Sequence, residues 1–103
     1  MAKQRYWRIR GYESTTVIFE KIVPTGQITT EQIQDLLRAL AAKDGLSYEE
    51  ILGAYAKRGT RIANDLLLVH RDGPYQHFWC GHAPYFEACL IDENGKVCRP
   101  TLQ

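Results

Sequence analysis

The stretch LLLVHRDGPYQHFWCGHAPYFEACLIDENGKVCR, Leu66 to Arg99, decides how this chain folds. Short runs of leucine, aromatic and β-branched residues are cut by Asp72-Gly73-Pro74, Gly81-His82-Ala83-Pro84 and Glu93-Asn94-Gly95. Gly, Pro, Asn and Asp punctuate turns because they supply a positive φ, a fixed φ or a side-chain bond to the backbone. Four strands are therefore expected, near 66–71, 75–80, 85–91 and 96–99. Connections this short cannot carry a parallel crossover, so neighbouring strands run antiparallel.

Upstream, RYWRIRGY (5–12) and TVIFEKIV (16–23) read as two further strands separated by a Glu-Ser-Thr turn, and Pro24-Thr25-Gly26 ends the second. The period then changes. Ile33, Leu36, Leu37, Leu40 and Ala41 fall at helical spacing, which predicts an amphipathic helix over 30–43. Thr29 and Gln32 stand at capping-box spacing, as do Ser47 and Glu50 before a second helix over 48–58. That helix carries Tyr48, Ile51, Leu52 and Tyr55 on one stripe, and its interior Gly53 reads either as a small residue tolerated at a cost of about 1 kcal/mol relative to alanine or as a close approach to the sheet. The order ββααββββ implies one α+β domain over residues 1–103. Its sheet is mostly antiparallel, of five or six strands, with two helices packed on one face.

Register follows from the turns. Pro74 lacks an N–H, so a four-residue loop over 71–74 is expected, with His70 opposite Tyr75. A four-residue loop over 81–84 sets Cys80 opposite Tyr85. Alternation then places Leu66, Leu68, His70, Tyr75, His77, Trp79, Phe86, Ala88 and Leu90 on one face, read as the core. The other face takes Leu67, Val69, Arg71, Gln76, Phe78, Cys80, Tyr85, Glu87, Cys89 and Ile91. An error of one residue in either loop inverts the sets beyond it. Two helices cover only one face, and an apolar second face marks an interface. The expected partner is therefore a second copy of the chain, held through Val69, Phe78, Tyr85 and Ile91.

Composition narrows the function classes. The chain has 103 residues and a formal net charge of +1, with no apolar run of membrane-spanning length, so neither nucleic acid nor membrane is an expected partner. The basic start MAKQRYWRIR lacks the apolar core of a secretory signal, and Cys80, Cys89 and Cys98 make an odd count. Reduced thiols in the cytoplasm are the expectation.

Three groups of residues carry chemical potential. His70 and His77, with Tyr75 and Trp79 beside them, form an aromatic-lined candidate ligand site, and two imidazoles there also suit acid–base work by a small enzyme. Structural histidines bonded to backbone are the plainer alternative. Cys80, His82, Cys89 and Cys98 are ligand types for zinc, but their spacing matches no zinc module, and neither metal nor cofactor is expected. Pairing of Cys80 with His77 or His82 as a nucleophile is weaker, since odd spacing sends Cys80 and His77 to opposite faces. Tyr6, Arg8, Arg10 and Tyr12 interleave bases and aromatics along one strand face, which suits single-stranded nucleic acid, and Lys57, Arg58 and Arg61 extend the charge. No phosphate loop, GxSxG or HExxH occurs. The leading expectation is a small binding protein that self-associates through a sheet face and holds a ligand at the histidines.

Overall fold

The computed structural model describes residues 4–71 and 77–98. Strands β1 (Arg5–Glu13) and β2 (Thr16–Pro24) form a hairpin, followed by helices α1 (Thr30–Gly45) and α2 (Tyr48–Tyr55). Strands β3 (His70–Arg71), β4 (His77–Gly81) and β5 (Tyr85–Asp92) complete one antiparallel sheet in the order β2-β1-β5-β4-β3. The architecture is α+β, as the order of apolar periods predicts. The strand expected at 96–99 reduces to one bridge, Ile91 to Val97, and the strand expected from 66 begins only at His70.

Both expected capping boxes form. The Thr29 hydroxyl accepts from Gln32 N–H while Gln32 Oε1 accepts from Thr29 N–H, and Ser47 and Glu50 repeat the arrangement. Each box satisfies two helix donors that have no partner within the helix. The second helix stops at Tyr55 rather than 58 because Asn64 takes over its last carbonyls. Asn64 Nδ2 donates to Glu50 O at 3.0 Å, and Asn64 N–H to Gly53 O at 3.0 Å. The close approach at Gly53 is to this segment, not to the sheet. A Cβ there would collide with the carbonyl oxygen of Ile62 and with Asn64 Nδ2. Most of the expected apolar stripe of α2 stays in water, with Tyr48, Leu52 and Tyr55 all exposed.

Helix α1 lies across β4 and β5. Ile33, Leu37 and Ala41 meet Trp7, Ile9, Phe78, Cys80, Phe86, Ala88 and Leu90 in one core, and Leu67 joins from the segment before β3. The make-up of this core corrects the expected faces. Gly81, not Cys80, pairs with Tyr85, so Cys80 pairs with Phe86 and Phe78 with Ala88. The turn is one residue tighter because Gly81 takes φ +94°, where only glycine is unstrained. Space also demands glycine: a Cβ there would stand 2.9 Å from Pro84 O and 3.3 Å from Ala41 Cβ on α1. The slip joins Phe86, Ala88 and Leu90 to Phe78 and Cys80 under the helix. It sends Tyr85 and Glu87 to the side of His77 and Trp79.

Candidate functional site

Among the described residues no helix covers the opposite sheet face. Its side chains stand in cross-strand rows. The central row is Glu20, Arg10, Glu87, Trp79 and His70, one from each strand. A second runs Ile22, Arg8, Cys89, His77, and a third Val17, Tyr12, Tyr85, Gly81. His70 pairs with Trp79 instead of Tyr75, a displacement of four residues. Because four is even, His70, His77 and Trp79 still share a face. Tyr75 lies outside the described residues.

These rows create specific contacts. His77 Nε2 lies 2.8 Å from Glu87 Oε2, with the two side chains 28% and 18% exposed. His70 stacks on Trp79 at 5.5 Å between ring centres and 21° between planes, and His77 meets the same ring at 5.5 Å and 47°. Tyr12 and Tyr85 stack at 5.1 Å. His77, Trp79, Tyr85 and Glu87 line a shallow depression of about 360 Å³. Sequence reasoning missed Tyr85 and Glu87 as members of this group. Reading Gly81 as a strand residue able to take a positive φ would have found them.

Of the four residues expected at an interface, Tyr85 alone lines this depression. Phe78 is 3% exposed beneath α1, Ile91 is 3% exposed beside the Val97 bridge, and Val69 packs against the core before β3. The four share no surface.

Tyr6, Arg8, Arg10 and Tyr12 do line the open face, but both guanidinium groups have partners within the sheet. Arg10 Nε donates to Glu20 at 2.6 Å and Nη1 to Tyr12 at 3.5 Å, and these bonds hold Arg10 above the ordinary arginine range. Arg8 Nη2 donates to Cys89 Sγ at 3.4 Å, and Arg8 Nε is buried with no hydrogen-bond partner among the described residues. Arg58 lines a different cavity beside α2. The strand thus offers aromatic planes more readily than phosphate partners.

Cys80 lies in the core, on the far side of the sheet from His77, and His82 is exposed in the turn. The cysteine across from His77 is Cys89. Burial pushes both thiols up from their usual range, against the opposing effect of Arg38 on Cys80 and of Arg8 on Cys89. A buried neutral thiol is a poor nucleophile. All three cysteines are free, and among the described residues no group of three or more His, Cys, Asp or Glu is placed to hold a metal ion. Among the same residues no helix is long and apolar enough to cross a membrane.

A larger cavity, about 550 Å³, opens between α2, Arg38 and the segment 63–68. Of its polar side chains, Arg38 and Asn64 are already engaged, while Arg58 and Asp65 also line it. Arg38 bonds Asp35 at 2.9 Å and Leu67 O at 3.3 Å, while Asn64 bonds Glu50 O and Leu66 N–H, each at 3.0 Å. The smaller depression sets the aromatic rings of Trp79 and Tyr85 beside the His77–Glu87 pair. Comparison with protein-family models, with curated proteins and with solved structures found no match.

Proposed function

We propose that this chain is a small cytoplasmic binding protein whose ligand sits on the open sheet face, over His77, Trp79, Tyr85 and Glu87. The observation that carries the reading is the His77–Glu87 pair, set in an aromatic-walled depression on a face no described helix covers. Along a face that also carries the charged Glu20, Arg10 and Arg8, the aromatic Trp79 and Tyr85 flank this pair. The volume lies at the lower end of the range for small-molecule sites. Binding is favoured over catalysis because Cys89, the nucleophilic residue type nearest in register to His77, is buried with its thiol held neutral. Nuclear magnetic resonance of labelled protein with a mixture of small aromatic fragments tests the reading. Shifts should cluster at His77, Trp79, Tyr85 and Glu87. A cluster at Arg38, Tyr55, Ala63 and Leu68, or no cluster, would overturn it.

Self-association is a second reading, moved from the sheet face to the sheet edge. Strand β2 is a long edge that exposes Val17, Ile18, Phe19 and Ile22, each between 37% and 50%. Edges of this kind pair with other strands, and a second copy offers the same edge about a two-fold axis. Sedimentation equilibrium should give twice 11.8 kDa, and Ile22→Lys should return the mass to one chain. A monomer at all concentrations excludes this reading.

A further inference from the structure

We infer that the depression beside His77 and Glu87 selects a small, neutral, planar nitrogen heterocycle that donates a ring N–H to Glu87. The inference rests on the open face being the ligand seat and adds the chemistry of the ligand. Charge comes first. Along the central row Arg10 is flanked by Glu20 on one side and Glu87 on the other, and it is bonded to Glu20 at 2.6 Å. A cation approaching Glu87 meets Arg10, and an anion meets both carboxylates. The alternating row favours neither sign.

Hydrogen bonding comes next. Glu87 Oε2 is taken by His77, whereas Oε1 makes no hydrogen bond among the described residues. The side chain is 18% exposed and Oε1 has only acceptor capacity, so a ligand seated on this face displaces the water that serves it. A ligand that leaves it unpaired carries a desolvation penalty, and one that donates to it does not. A ring N–H of the indole type only donates, so it adds no lone pair of its own to satisfy. Shape comes last. Trp79 and Tyr85 form the walls, each already braced by a stacked neighbour, His70 and Tyr12 respectively. Rigid aromatic walls favour a flat ring. A ring lying over the sheet directs its N–H along its own plane, toward a carboxylate rising beside it.

Indole and 1-methylindole test this directly, since they match in shape and differ in the N–H. Both are titrated into the full-length protein while the resonances of Trp79 and His77 are followed, with benzoate and tetramethylammonium as charged probes. Indole should bind at least ten-fold more tightly than 1-methylindole, a difference of about 1.4 kcal/mol. Glu87→Met should lower indole to the level of 1-methylindole and leave 1-methylindole unchanged. Equal binding of the two indoles at these resonances overturns the proposed ligand class and leaves the seat standing. Benzoate or tetramethylammonium binding as tightly as indole does the same. If neither indole moves Trp79 or His77, the seat itself is refuted. Should Glu87→Met fail to fold, the paired ligands on the unaltered protein still decide.

Discussion

Replacing Gly11 by alanine tests the packing that separates the two sheet faces. Gly11 is buried on β1 directly opposite Phe86 of β5. A Cβ at Gly11 would stand 2.8 Å from Phe86 Cδ1 and 3.2 Å from Cζ, with Cε1 nearer still. Carbon atoms pack best at about 3.5–4.0 Å, so the ring has to move. It has little room, being fully buried, opposite Cys80 and with Phe19 against its edge at 6.3 Å. Overpacking of this kind costs about 1–3 kcal/mol. Stiffening of the unfolded chain returns about 0.4–1 kcal/mol. The net loss expected is about 1–2 kcal/mol, which for a domain of this size lowers the melting temperature by about 4–15 °C. Urea unfolding followed by tryptophan fluorescence measures it. Gly26→Ala is the control, because a Cβ there meets nothing within 4 Å. Phe86→Leu should be destabilising alone but should relieve Gly11→Ala, with a coupling of about 0.5–3 kcal/mol. A Gly11→Ala protein as stable as the parent, or additive effects in the cycle, would refute the reasoning.

Burial raises the Cys80 and Cys89 thiols, so the unfolded chain ionises first. Their contribution to stability is intact below the unfolded thiol range of about pH 8.5 and falls as pH rises through it. Urea midpoints should drop above that pH, less so when both residues are alanine, and a midpoint that rises contradicts the assignment. Thiol titration of denatured protein prepared without reductant should find three groups, of which Cys98, only half-buried, reacts first in the native state. Asn64→Ala removes the side-chain bond that ties Glu50 of α2 to the following segment and a second, from Leu66 N–H, within that segment, and a loss of about 1–2 kcal/mol with faster amide exchange in α2 is expected by calorimetry and hydrogen exchange. His77→Ala should abolish ligand-induced shifts at Trp79 while leaving the chain folded, at a cost of about 1–3 kcal/mol for the lost bond to the mostly buried Glu87 side chain.

The element order and both helix starts were legible from local chemistry. Capping boxes are short-range devices, and Thr29–Gln32 and Ser47–Glu50 announce themselves at three-residue spacing. The end of α2 was not legible, because Asn64, well along the chain, supplies the terminating bonds. Face assignment failed at Gly81 for a similar reason. Whether a glycine before His-Ala-Pro belongs to the turn or to the strand depends on Ala41 of α1, which crowds it from another element. One residue of error there exchanged the surroundings of His77. An expected neighbour of Phe86 in the core became a neighbour of Glu87 on the open face. His70, His77 and Trp79 kept their common face because the displacement of β3 was even. The exposed edge of β2 was invisible in its sequence, since TVIFEKIV reads the same for a covered strand as for an uncovered one.

The location of the ligand is the claim on which the functional account stands, and intermolecular nuclear Overhauser effects locate it. With saturating indole and Trp7→Phe to leave Trp79 as the chain's only tryptophan, cross-peaks should join the bound ring to the Trp79 and Tyr85 side chains. Cross-peaks to Ala54, Ala63 and Leu68 instead would place indole in the cavity beside α2 and contradict the account, as would saturation with no cross-peak to the sheet.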